Sequence, residues 1–211
     1  MTVFDKHRPL AFADLVFATP QLQSDLQDYA EGRRSDSLLL YGPYGTGKST
    51  IAEVIQRELL IAAGSPNAPY VIEPADWSSS STEAIINQWN GEKIRLDYPR
   101  VVINEFDQLK QKQLDVRALY DKHAKHGFGF IVTTNYLHEI DPGFQSRLDV
   151  VEVPMPPPNA WVNRVIAVLA AEGLDVSPSQ ALRLAQAGHV SIREIGKAMD
   201  KLIAKSRSRS V

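Results

Sequence analysis

The chain has 211 residues, room for one large domain or a domain with a small appendage, and its 44% hydrophobic and 23% charged residues are ordinary for a globular protein. Its formal charge of −2 excludes a global basic field, so contact with nucleic acid needs a local patch or several copies presenting that patch together. Zero cysteines exclude disulfides, thiolate metal sites and a cysteine nucleophile. No run nears the roughly 18 apolar residues of a membrane span, and Met1 to Pro9 lack the apolar core of a secretory signal, which fits a cytoplasmic protein with no membrane partner.

The first strong element is Ser37-Leu38-Leu39-Leu40-Tyr41, a short apolar run of the kind a buried parallel strand needs. It leads straight into Gly42-Pro43-Tyr44-Gly45-Thr46-Gly47-Lys48-Ser49-Thr50, which fits the phosphate-loop pattern G-x-x-x-x-G-K-[ST]. The glycines let the backbone turn tightly and approach a polyphosphate with no Cβ in the way. The N–H groups of the loop form an anion nest at a helix N-terminus. Lys48 can reach the β- and γ-phosphates of ATP, and the Ser49 hydroxyl can ligate Mg²⁺. Ile51 to Ala63 follows as a helix, with Ile51, Val54, Ile55, Leu59 and Ala62 at helical spacing.

Further strands are expected at Pro69–Glu73, Arg100–Asn104, Phe128–Thr134 and Asp149–Val153. Between them lie a helix through Ala84, Ile85, Ile86 and Trp89, capped by Ser81 or Thr82, and a charged amphipathic helix from Leu109 to Lys125 that ends at His126-Gly127. Strands alternating with helices predict an α/β fold, a five-stranded parallel αβα sandwich. Pro154-Met155-Pro156-Pro157-Pro158 breaks the alternation. Beyond it the pattern is helical: Ala160–Glu172, Ser179–Ala187 behind the Ser177-Pro178 cap, and Ser191–Lys205. The expected division is a nucleotide-binding core over 1–155, a small all-helical lid over 156–205 and a basic tail over 206–211.

A bound Mg·ATP needs an acidic partner for the metal and a group that orients the attacking water. Asn104-Glu105-Phe106-Asp107, at the end of a strand, supplies candidates. Glu105 is suited to polarising water. Asn104 stands where phosphate-loop enzymes usually carry a metal-side aspartate; its amide oxygen can accept from a metal-bound water but brings no charge. Asn135, ending the next strand, is a candidate sensor of phosphate or water. Arg147 is a candidate arginine finger for a neighbouring subunit, and Arg193 can reach phosphate from the lid.

These pieces, in this order, resemble the AAA+ ATPases and, within them, the small subunits of clamp loaders. The resemblance covers about residues 4 to 205. Lys6-His7-Arg8-Pro9 and Phe12-Ala13-Asp14-Leu15-Val16 are similar to the family's opening segments beside the adenine, which implies nucleotide contacts at Arg8, Pro9 and Val16. Glu73-Pro74-Ala75-Asp76 is loosely similar to the segment after the second strand. Asn104 to Asp107 sits at the Asp-Glu-Ala-Asp position, Thr134-Asn135-Tyr136 matches sensor 1, and Ser191-Ile192-Arg193 resembles sensor 2. Pro142 with Gln145-Ser146-Arg147 resembles the stretch carrying the trans-acting arginine, with Leu148 in place of its cysteine. The chain stops where clamp-loader subunits continue into a helical collar. The resemblance implies self-assembly through AAA+ interfaces, a replication factor as partner, and DNA contact through Lys110, Lys112 and Arg117, helped by Lys122 and Lys125.

Three readings stay open. The first is an ATP-driven switch or loader on DNA that hydrolyses ATP at subunit interfaces. The second is a nucleotide-dependent interaction module with little or no turnover, because of Asn104. The third is a small phosphate-loop kinase, which Asn135, Arg147 and the helical lid fit poorly.

Overall fold

The apolar runs become one all-parallel sheet in a computed structural model of the chain, which describes residues 2–65, 67–78, 81–93, 100–187 and 191–208. The strands are β1 (Ser37–Tyr41), β2 (Val71–Ile72), β3 (Arg100–Ile103), β4 (Gly129–Thr134) and β5 (Leu148–Glu152), in the spatial order β2-β3-β4-β1-β5. β1 lies between β4 and β5, with Leu39 level with Val132 and Val150. Leu38 and Leu40 face one apolar layer and Leu39 the other, and all three are fully buried. A strand covered on both faces has no polar side, which is why its sequence is a continuous apolar run. Each such leucine contributes about 1.5–3 kcal/mol by burial.

The helices are α1 (Val3–Lys6), α2 (Pro20–Ala30), α3 (Lys48–Ala62), α4 (Ser81–Lys93), α5 (Gln113–His123), α6 (Pro142–Gln145), α7 (Val162–Ala171), α8 (Pro178–Gln186) and α9 (Ile192–Arg207). One layer joins α2 and α3 to the sheet through Leu22, Leu26, Ile51 and Ile55. The opposite layer is built on Phe106, Val116, Phe130 and Phe144. A third cluster unites α7, α8 and α9 through Trp161, Leu169, Ala181, Ile195 and Met199, with Val3 of α1 buried among them.

Several expectations change. The helix expected over 109–125 is broken: Phe106–Lys112 is 3₁₀ in character, Lys110 has φ +49°, and regular α-helix starts only at Gln113. Lys110 and Lys112 therefore do not share a helix with Arg117. The second strand shrinks to two residues, and the fifth starts one residue early, at Leu148. α2 was not foreseen. α4 runs from Ser81, so the expected cap positions Ser81 and Thr82 fall within its span. The end of the basic tail, from 209 on, lies outside the described residues. No helix among the described residues is long and apolar enough to cross a membrane.

Candidate nucleotide site

The glycine loop connects β1 to α3 at the C-terminal ends of the strands, where ligands of open parallel sheets sit. Its geometry requires glycine. Gly42, Gly45 and Gly47 have φ of +145°, +72° and +91°. A Cβ on Gly42 would lie 2.5 Å from the Val153 carbonyl oxygen, and one on Gly45 would collide with the Ser191 side chain. Gly47 hands over to Lys48 as the N-cap of α3, so the helix starts three residues earlier than the sequence pattern indicated and its free N–H groups face the loop.

Lys48 is the centre of the site. It is 7% exposed, and its Nζ donates to the carbonyls of Gly42 (2.8 Å) and Pro43 (2.7 Å) and to Oδ1 of Asn135 (2.8 Å). Burial lowers its pKa to about 8, with Asp107 and Glu105 pulling the other way. Asp107 is buried and accepts from Thr134 Oγ1 at 2.6 Å.

A cavity of about 330 Å³ opens beside Lys48. One part of its wall contains Tyr44 to Thr50 of the loop, with Glu105, Thr133 and Asn135. Arg8, Pro9, Asp14 and Val16 of the N-terminal segment line a second part of the wall. Trp161, Arg164, Ile192 and Arg193 close it from the helical cluster. The size falls in the range of small-molecule sites.

Glu105 is held by strain and by partners. It has φ +45°, one of two non-glycine residues with positive φ among those described. Its N–H donates to Thr133 Oγ1 at 3.2 Å, and Gln108 Nε2 donates to its carboxylate. Such an outlier persists only where its surroundings impose it and marks functional sites. Tyr44 and Tyr136, both exposed, meet at the rim; the Tyr44 hydroxyl donates to Tyr136 at 3.0 Å, which pushes the Tyr44 pKa up to about 12.

Four expected residues are not in the wall. Gly42 and Pro43 contribute their carbonyls to Lys48, and that of Pro43 also accepts from Thr46 Oγ1 at 3.2 Å. Asn104 is buried behind the wall, with Nδ2 donating to Glu73 Oε1 (2.7 Å) and Oδ1 accepting from Thr133 Oγ1 (3.2 Å). It therefore ties β2, β3 and β4 together, and a place beside a metal is not what this geometry gives it. Arg147 is engaged elsewhere: Nε and Nη2 bind the two Asp121 carboxylate oxygens at 2.5 and 3.1 Å. Of the candidate DNA contacts, Lys110 is exposed, Lys112 donates to the Trp77 carbonyl at 3.2 Å, and Arg117 pairs with Asp141 at 3.0 Å.

The sequence reading missed Arg164 and Trp161. Arg164 Nη1 donates to Asp14 at 2.8 Å and Nη2 to the His7 carbonyl at 2.8 Å, pinning the helical cluster to the N-terminal segment across the cavity. A lone arginine one turn into a helix gives no signal in sequence; only the fold brings it to Asp14.

Ser49 and Glu105 share the wall with Lys48, a hydroxyl and a carboxylate beside a buried ammonium. Mg²⁺ keeps several waters and takes phosphate oxygens plus one or two protein ligands, so this donor set fits it. No cluster of three or more histidine, aspartate or glutamate side chains that could hold a metal by itself occurs among the described residues.

The model of the ATPase family associated with various cellular activities (AAA) matches residues 38–154. Replication factor C small subunit 2 of Pyrobaculum islandicum is 28% identical over 185 residues, 82% of this chain and 55% of the relative. Replication factor C subunit 5 of Mus musculus is 27% identical, covering 82% of this chain and 52% of the relative. Replication factor C subunit 3 of Saccharomyces cerevisiae is 23% identical over 197 residues, 90% and 56% respectively. The chain thus spans about half the length of the curated relatives it matches. Among solved structures, domain III of the Thermotoga maritima replication initiation protein DnaA superposes with a TM-score of 0.70 at 16% identity, over 95% of this chain and 90% of that one. A variant of Thermotoga maritima RuvB gives 0.65 at 18% identity, over 95% and 65%.

Proposed function

The chain belongs to the AAA family of ATPases, and from that premise we propose that it binds Mg·ATP beside Lys48, assembles with further copies on ATP, and acts as a DNA-associated switch or loader of a replication factor. The kinship with replication factor C subunits supports the replication setting. One observation carries the chemistry: Lys48, Asn135 and Glu105 converge on one cavity, while Arg147 lies outside its wall.

The loop amides, Lys48 and Arg193 hold the phosphates, and Arg8, Pro9 and Val16 take the base side. Ser49 and bound waters hold Mg²⁺, which neutralises phosphate charge. Glu105 polarises the attacking water, and Asn135 orients it against the γ-phosphate. The charge that develops on transfer needs a cation, which Arg147 of an adjacent copy supplies. The segment over 156–205 works as a lid. Of Lys110, Lys112 and Arg117, Arg117 is the one paired with carboxylates among the described residues, so DNA contact rests on the two lysines more than on Arg117.

Phosphate release with and without duplex DNA tests this reading in wild type, Arg147→Ala and Glu105→Gln. Each variant alone is expected to be slow. Mixing the two variants is expected to restore part of the rate, since some interfaces then hold one intact Glu105 and one intact Arg147. No restoration in mixtures that still assemble contradicts a shared site.

A second reading, nucleotide binding with little turnover, is favoured by Asn104, whose amide is already committed to Glu73 and Thr133. ATP binding without phosphate release, under conditions where the chain assembles on DNA, selects it.

A further inference from the structure

Arg147 does not stand alone. It ends a chain of alternating charges, Asp141, Arg117, Asp121 and Arg147, that runs along α5 and the start of α6. Arg117 Nη1 donates to Asp141 at 3.0 Å, and its Nε lies 3.9 Å from Asp121. Asp121 in turn takes both Nε and Nη2 of Arg147, a two-oxygen grip on one guanidinium. The remaining Nη1 donates to the Gly143 carbonyl. The Arg117 guanidinium lies over Gly143, where a Cβ would come within 2.6 Å of its central carbon and shift it. The Arg147 carbonyl is held as well, by the Tyr120 hydroxyl at 3.3 Å.

We propose that Asp121 is a releasable counter-ion that parks Arg147, and that Arg147 must leave it before stabilising the phosphates of an adjacent copy. The inference rests on the shared-site reading above and adds a residue that reading does not contain. An arginine needed by a neighbour's triphosphate cannot also stay paired to a carboxylate through two oxygens, because the same donors make both contacts. The grip is weak enough to release: the Asp121 and Arg147 side chains are 44% and 30% exposed, and exposed ion pairs contribute little. It is also selective. An uncharged interface offers Arg147 nothing better than Asp121, whereas a polyphosphate offers more negative charge and more acceptor oxygens. Asp121 thus acts as a threshold, keeping the charged finger paired until a nucleotide-filled neighbour arrives. It is a positioning residue, acting only through Arg147.

The test uses steady-state ATP hydrolysis by the full chain with duplex DNA, across concentrations that span assembly. Asp121→Asn keeps shape and removes the charge. It is expected to raise kcat by about two- to fivefold, in keeping with a weak surface pair, while KM for ATP stays put because Asp121 is not part of the cavity wall. Asp121→Glu is expected to restore the wild-type rate. The double variant with Arg147→Ala is expected to match Arg147→Ala alone. If the wild type shows no turnover, the same threshold is read from the concentration at which a non-hydrolysable ATP analogue drives association, which Asp121→Asn is expected to lower by a similar factor. An unchanged or lower rate (or an unchanged or higher association midpoint) in Asp121→Asn, with Arg147→Ala impaired, overturns the clasp and leaves the shared site standing. Arg147→Ala at wild-type rate and midpoint overturns the shared site and the clasp with it.

Discussion

Burial brings the Lys48 ammonium down from 10.5 to about 8, so in the nucleotide-free chain the charge is held at a cost. Phosphate favours the charged form and raises the value again. The sign follows: below about 8 Lys48 is already protonated and ATP affinity is flat with respect to this group. Above 8, binding must take up a proton, and affinity falls with pH, at most tenfold per unit. Calorimetry between pH 7 and 9.5 is expected to show that bend. Lys48→Ala is expected to weaken binding at pH 7.5 by about 10- to 150-fold, the worth of a hydrogen bond to a charged group, and to abolish the bend. At Asn104 the neighbouring carboxylate decides the outcome. Asn104→Asp turns a 2.7 Å donor to Glu73 into a like charge. It is expected to cost about 1–3 kcal/mol of nucleotide-free stability in thermal melts. Glu73→Gln in the same chain is expected to recover most of it, because an amide can donate where the carboxylate could not. Equal losses in the single and double variants would mean that the loss does not come from like-charge repulsion at Glu73.

At the level of elements, the strands were legible and the breaks were not. A fully buried parallel strand has to be apolar throughout, so Leu38 to Leu40 and Val101 to Ile103 read directly, and the glycine loop between β1 and α3 names itself by residues that only positive φ explains. α2 escaped notice because its apolar positions are sparse: Leu22, Leu26 and Tyr29 recur at helical spacing among glutamines and aspartates. Thr19 as cap and Pro20 at the first turn were the available signals. The break at Lys110 left no trace, since lysine is a good helix former and only its surroundings force φ to +49°. The contact between loop and lid was equally invisible. The Ile192 N–H donates to the Gly45 carbonyl at 3.0 Å, and the space above Gly45 is filled by Ser191. Gly45→Ala must strain a φ of +72° and push Ser191 away. It is expected to leave circular dichroism unchanged while lowering ATP affinity at least tenfold, because the loop and the start of α9 move apart. Unchanged affinity would show that the lid does not need this approach.

Across the whole molecule, the N-terminal arm and the C-terminal helices form one unit that no local pattern announces. The Val3 N–H donates to Asp200 at 2.9 Å, 197 residues away in sequence, and Val3 itself is buried in the helical cluster. Phe4 packs on Gly196, where a Cβ would lie 2.4 Å from the ring, and against Trp161. The electrostatic centre of this joint is Glu172, just past α7. Lys6 Nζ (2.6 Å) and His7 Nε2 (2.7 Å) both reach its Oε1, and Arg207 approaches Oε2 at 3.2 Å. Lys6 first, then His7, hold the Glu172 carboxyl down at about 2. A depressed carboxylate contributes stability above its unfolded value near 4.3 and loses it as pH falls towards 2. Glu172→Gln is therefore expected to lower the melting temperature at pH 7 and pH 5 by similar amounts, with the gap to wild type narrowing below pH 4. Because the arm also lines the cavity through Arg8 and Pro9, the same variant is expected to weaken ATP binding at pH 7 although Glu172 lies outside the cavity wall. A stability loss with no change in affinity would mean that Arg8 and Pro9 keep their places in the cavity wall without help from Glu172.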